Sequence, residues 1–238
     1  MKKPTFTFGF SLSELIQRND KVVQFIARDT AEFARFGYSE IWRTTIEQTA
    51  SELRQVLPDD YYGAQQKHKT QLKNDCRKNL ERIIGDLRIR AKYALGEKSY
   101  DYQMYNFTKI GVLNDKELIT FTLHIKRTAQ DHMTQLALRN VDQLLLDHID
   151  AACQQLDDAI DDQQMAVSER REMRFKRTQL ANRLYQFISE ACDIGKNIWN
   201  GTNEAYYTDY VIYGSKQTID EMEELEEMEA AAEEDTGN

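Results

Sequence analysis

Four histidines, three cysteines and several paired carboxylates are the side chains with which this 238-residue chain could do metal or proton chemistry. A carboxylate-bridged di-iron centre in a helical bundle needs Glu-x-x-His pairs on facing helices, and the sequence has none. His68, His124, His132 and His148 form no His-x-x-x-His, the spacing that sets two imidazoles on one helical face. Cys76, Cys153 and Cys192 are too widely separated for a zinc knuckle and read as small buried thiols of a reducing compartment. Gly195-Lys196 lacks the upstream glycine that a phosphate-cradling loop requires. Asp157-Asp158 and Asp161-Asp162, with Asp147 and Asp150, fall mainly on the helix side away from Leu145, Ile149, Leu156 and Ile160, the layout of a solvated face. The sequence therefore predicts no catalytic residues, no metal and no other cofactor.

Tyrosine is the residue type with the strongest local character. Tyr100, Tyr102 and Tyr105 precede Phe107, and Tyr206, Tyr207, Tyr210 and Tyr213 surround Val211-Ile212, at spacings of two or three that suggest short extended segments. A large ring with one polar tip suits the end of a bundle, a partner interface or a ligand surface. Asn203, Glu204 and Asp209 could complete a pocket there, and Phe6, Phe8 and Phe10 alternate in the same way. A second candidate surface is basic: Lys73, Arg77, Arg82 and Arg88 belong to a stretch that could track phosphates. An acidic pI near 5.1 counts against nucleic acid as its partner.

The elements that position these residues are helical. Ten glycines and two prolines in the whole chain disfavour turn-rich sheet folds. Ser11 with Glu14 and Asn114 with Glu117 have capping-box spacing. From Ser11 to Gly37 the apolar residues Leu12, Leu15, Ile16, Val23, Ile26, Phe33 and Phe36 recur every three or four positions. A second helix carrying Ile41, Trp42, Ile46 and Leu53 stops at Pro58, and a long one at 60–95 stops at Gly96. Beyond Asn114 the pattern runs to Ile160, with a break near Asn140, and the last helix spans about Ser168 to Trp199. These features predict an all-α, elongated antiparallel up-and-down bundle of four main helices.

Setting Gly96 on Gly201 aligns Tyr102, Tyr105 and Phe107 with Tyr207, Tyr210 and Ile212, and places Leu80 on Tyr185. The reading is an internal duplication: one domain at 1–215, built from similar halves at about 1–110 and 111–215, followed by an acidic flexible tail at 216–238. That tail holds ten of the 40 acidic residues against one of the 31 basic ones, so the net charge of −9 belongs to it. Seven aspartates between Asp142 and Asp162 are expected to face Arg170, Arg171, Arg174, Lys176 and Arg177 across a turn. No apolar run is long enough for a membrane span and no export signal is read, which implies a cytoplasmic protein. The expected function is a non-enzymatic helical scaffold or protein–protein interaction protein, with self-association as a homodimer in view. The alternatives are a regulator or inhibitor working through the acidic tail, and a small-ligand binder or enzyme using the tyrosines.

Overall fold

The computed structural model describes residues 5–212; Tyr213 and the acidic tail lie outside them. Every regular element among these residues is helical: α1 (Leu12–Arg28), α2 (Thr30–Arg35), α3 (Glu40–Gln55), α4 (Asp59–Leu95), α5 (Tyr100–Gln103), α6 (Asp115–Asp131), α7 (Met133–Leu136), α8 (Gln143–Trp199) and α9 (Glu204–Asp209), with 3₁₀ turns at Phe107–Val112 and Ala137–Arg139. The protein is an all-α helical bundle. No described helix is long and apolar enough to cross a membrane.

Local chemistry explains most boundaries. Both capping boxes form, Ser11 with Glu14 and Asn114 with Glu117, each satisfying two orphan backbone donors. Gly37 and Gly96 follow helix ends with φ of +86° and +84°, a region that costs a side-chain-bearing residue energy. Two expectations need correction. The turn expected between Ile160 and Ser168 does not exist, because α8 is continuous through it. No glycine or proline interrupts 143–194, and Gln163, Gln164, Met165 and Ala166 are all good helix formers. The aspartate run and Arg170–Arg177 therefore follow one another along one helix and do not face each other. Nor are the tyrosine segments extended. Ser99 Oγ accepts from the Tyr102 N–H and Asn203 Oδ1 from the Tyr206 N–H, and these caps start the short helices α5 and α9.

The chain forms two compact units. Among the described residues, the first comprises 5–57 and 172–212, and the second is Pro58–Arg171. In the first, Leu15, Val22, Ile26, Phe33, Ile46 and Leu53 pack with Leu184, Ile188, Ala191 and Tyr210. In the second, Leu118, Ile125, Ala129, Leu136, Ile149 and Leu156 pack with Leu80, Ile84, Leu87 and Tyr105. Full burial of one such aliphatic side chain contributes about 1.5–3 kcal/mol before entropy is counted.

The two units have matching parts. α1 and α6 are each 17 residues long and open with a capping box. The four buried positions of α1, Leu15, Asn19, Val22 and Ile26, fall at the same places as Leu118, Thr122, Ile125 and Ala129 in α6, which buries Thr128 as well. Gly37 and Asn140, both at positive φ, each precede a residue whose N–H returns to a carbonyl: Tyr38 to Phe33 and Val141 to Leu136. Ile46, Thr49, Ala50 and Leu53 in α3 correspond to Ile149, Ala152, Cys153 and Leu156 in α8. Leu80, Ile84, Leu87 and Ala91 in α4 correspond to Leu184, Ile188, Ala191 and Gly195 in α8, all buried. Each unit takes its first helices from one half of the chain and its long helix from the other.

Candidate functional site

The densest polar constellation in the first unit is built on Asp29, where α1 ends and α2 begins. Its carboxylate is 2% exposed. Oδ1 accepts from Arg28 Nε at 2.7 Å, and Oδ2 accepts from Arg28 Nη2 at 2.8 Å, Trp199 Nε1 at 3.0 Å and Tyr210 Oη at 2.8 Å. Arg28 also donates to Asp209 at 2.6 Å, and its guanidinium lies 3.6 Å above the Tyr206 ring, a cation–π contact. Trp199 meets Tyr206 edge to face at 4.9 Å. The Tyr210 ring lies flat on the backbone of Gly195, where a Cβ would stand 2.2 Å from Tyr210 Cγ.

Burial pushes the Asp29 carboxyl up, but the hydrogen bonds from Arg28, Tyr210 and Trp199 outweigh it and hold the group below the ordinary aspartate value. Burial, and then the hydrogen bond to Asp29 and its charge, raise the Tyr210 phenol well above its usual value. General acid–base work needs a group poised near the working pH, and both groups are driven away from it. What the arrangement does chemically is tie α9 and the end of α8 to the α1–α2 corner.

The second unit has the same tyrosine in a different setting. Tyr105 is fully buried and stacks on Phe107 at 5.0 Å. Its Oη has no hydrogen-bond partner. Burial first, then the Asp131 and Asp101 charges, raise this phenol too. The residue corresponding to Asp29 is His132, the cap at the end of α6 as Asp29 is at the end of α1. His132 Nδ1 lies 2.8 Å from Thr128 O, and Nε2 lies 3.7 Å from Asp101.

No known protein family, curated protein or solved structure matches this chain.

The tyrosines singled out from sequence do not share one environment. Tyr102, Tyr105 and Tyr210 are core residues, Tyr206 and Tyr207 are half-buried, and Tyr100 is 81% exposed. Tyr100, Tyr102 and Tyr105 belong to the second unit, and Tyr206, Tyr207 and Tyr210 to the first. Asn203 is spent on capping α9, and Asp209 on Arg28.

Of the basic face, Lys73 and Arg77 both bind Asp115, and Arg77 also reaches Glu81 and the Leu113 carbonyl. Burial opposes ionisation of Asp115, but the two cations overcome it and lower its pKa. Arg82 and Arg88 are exposed, with Arg82 donating to Asn79. Half of the proposed phosphate-tracking set is thus neutralised from within. Among the described residues no group of three His, Cys, Asp or Glu side chains is placed to hold a metal ion. Burial pushes the thiols of Cys153 and Cys192 up to about 11 and about 12, far from the thiolate that nucleophilic chemistry uses.

Sequence reading missed the Arg28-Asp29 centre, although a signal was present. Position 29 continues the apolar stripe of Val22, Ile26 and Phe33, and an acid on an inward stripe implies a buried partner. Its other partners, Trp199 and Tyr210, are 170 and 181 residues away, beyond local pattern.

Proposed function

We propose that the protein is a non-enzymatic helical scaffold that acts through protein–protein association, with a second copy of itself as the first partner. The observation that carries this reading is an exposed apolar surface on the second unit. Ile89 and Tyr93, one turn apart on α4, are 59% and 66% exposed, and Leu138 is 80% exposed. Arg90, between the first two, donates to the carbonyls of Arg139 and Asn140, which brings the turn carrying Leu138 against this stretch of α4. Large apolar side chains left exposed on neighbouring elements are what an association site would use. The reading also draws on how the buried Asp29 and half-buried Asp115 carboxylates are used: both are occupied by cations and donors of the same unit.

A photo-crosslinking amino acid at Tyr93 tests it. The full chain is expected to give a covalent dimer, and the same label at the exposed Glu52 is expected to give none. A chain that stays monomeric from position 93 contradicts self-association through this surface.

A further inference from the structure

The correspondence between the units exposes one place where a space filled in the first is left open in the second. In the first unit, Tyr38, Trp42 and Phe187 form an aromatic wedge between α3 and α8. Trp42 meets Tyr38 at 4.5 Å and Phe187 at 6.3 Å, edge to face in both cases. The Tyr38 hydroxyl donates to Glu190 at 2.5 Å. The residues at the corresponding positions of the second unit are Val141, Leu145, Ile83 and Asp86. Three aromatic rings are replaced by three aliphatic side chains, while the carboxylate is kept.

A groove of about 390 Å³ lies between α4 and the first part of α8, and three of these residues, Ile83, Asp86 and Leu145, line it, whereas Val141 is buried in the core. Ile83, Leu145 and the two alanines at 151 and 152 contribute apolar lining, and Arg82, Asp86 and His148, with Asn79 and Gln155, contribute polar lining. Asp86 engages Arg90 Nε through Oδ2 at 3.0 Å, and in the first unit its counterpart Glu190 receives the tyrosine hydroxyl. Apolar and hydrogen-bonding side chains line this groove in about equal number, which suits a ligand that has both an apolar face and a polar donor.

We propose that this groove binds an aromatic ring carrying an N–H or O–H donor, an indole or a phenol, with the ring against Ile83, Leu145 and Ala152 and the donor on Asp86. The ligand takes the place that the aromatic wedge holds in the first unit. The ring can come from a free small molecule or from a tryptophan or tyrosine side chain of a peptide.

Titration of the full chain with indole and, separately, with N-acetyltryptophanamide, followed by ligand-observed and amide NMR, tests the proposal. Saturable binding is expected with shifts at Leu145 and Asp86, and it should weaken at least tenfold in Ile83→Phe/Leu145→Trp, which rebuilds part of the wedge. Because a core-edge pair can disturb folding, Ala151→Trp, at an exposed position on the groove wall, provides a second block with the same expected loss. Tighter binding of the amide would assign the ring to a peptide side chain, and tighter binding of indole to a free molecule. No saturable binding of either probe, or binding unchanged in both variants, would overturn the proposal.

Discussion

The ring of Tyr210 lies on the backbone of Gly195, so close that any Cβ there would fall 2.2 Å from Cγ of the ring. Gly195 sits inside α8, where glycine ordinarily costs helix stability. The close approach requires glycine here, because the Tyr210 ring lies over the helix backbone with its hydroxyl 2.8 Å from Asp29 Oδ2.

Replacing Gly195 with alanine should therefore destabilise the chain by about 1–3 kcal/mol, the usual range for overpacking, and reverse the ordinary sign of a helical glycine-to-alanine change. The control is Gly85, in α4 with nothing within 4 Å of its Cβ position, where alanine should stabilise by about 0.5–1 kcal/mol. Urea denaturation of the two variants checks the contrast; equal effects would contradict the close approach.

The two buried tyrosines should respond oppositely to loss of the hydroxyl. Tyr210→Phe removes a hydrogen bond to a charged carboxylate, an interaction worth about 1.5–3 kcal/mol. Tyr105→Phe removes a buried hydroxyl that has no partner, so stability should hold or rise. The difference between their urea midpoints is the readout, and a larger loss at Tyr105 would be inconsistent with the geometry.

Asp29 should make stability depend on acid. Although burial works against its charge, the Arg28, Tyr210 and Trp199 donors hold its folded pKa below the ordinary value. A depressed carboxylate contributes stability that is present above the unfolded pKa, about 3.9, and is lost as the pH falls through the folded one. Asp29→Asn should thus be destabilised at neutral pH, and its gap from the native chain should narrow below the unfolded pKa. A gap independent of pH would show that the charge on Asp29 contributes nothing.

Thiol labelling should rank the cysteines by burial. Cys76 is half-buried, whereas Cys153 and Cys192 lie in the two cores with their thiols held at about 11 and about 12. In the native chain at mildly alkaline pH only Cys76 should react readily, and the other two on unfolding. Rapid native labelling of Cys192 would argue against the packing around Tyr210.

How much of this was legible depended on how local each cause is. Capping boxes, Pro58 and the glycine stops act within a few residues, and they could be read directly from the sequence. The apolar pattern alone places a turn between Ile160 and Ser168, but a lapse in apolar spacing does not end a helix and no breaker is present there. The tyrosine spacing suggested strands, but the Ser99 and Asn203 caps decide those segments. Aligning Gly96 with Gly201 set Leu80 on Tyr185, whereas burial pairs Leu80 with Leu184. The one-residue slip means that burial along the long helices and the glycine after them cannot be matched in a single register. The Asp29 centre escaped because its donors converge from opposite ends of the chain, and that convergence exists only once the first unit has folded.

The most direct measurement of the proposed scaffold role is sedimentation equilibrium of the full chain beside Ile89→Lys/Leu138→Lys. Both positions are exposed, so the variant should keep the helical signal and unfolding midpoint of the native chain. The account predicts a reversible dimer for the native chain and a monomer for the variant. A native chain that remains monomeric at every concentration, or a variant that dimerises as well as the native chain, would contradict it.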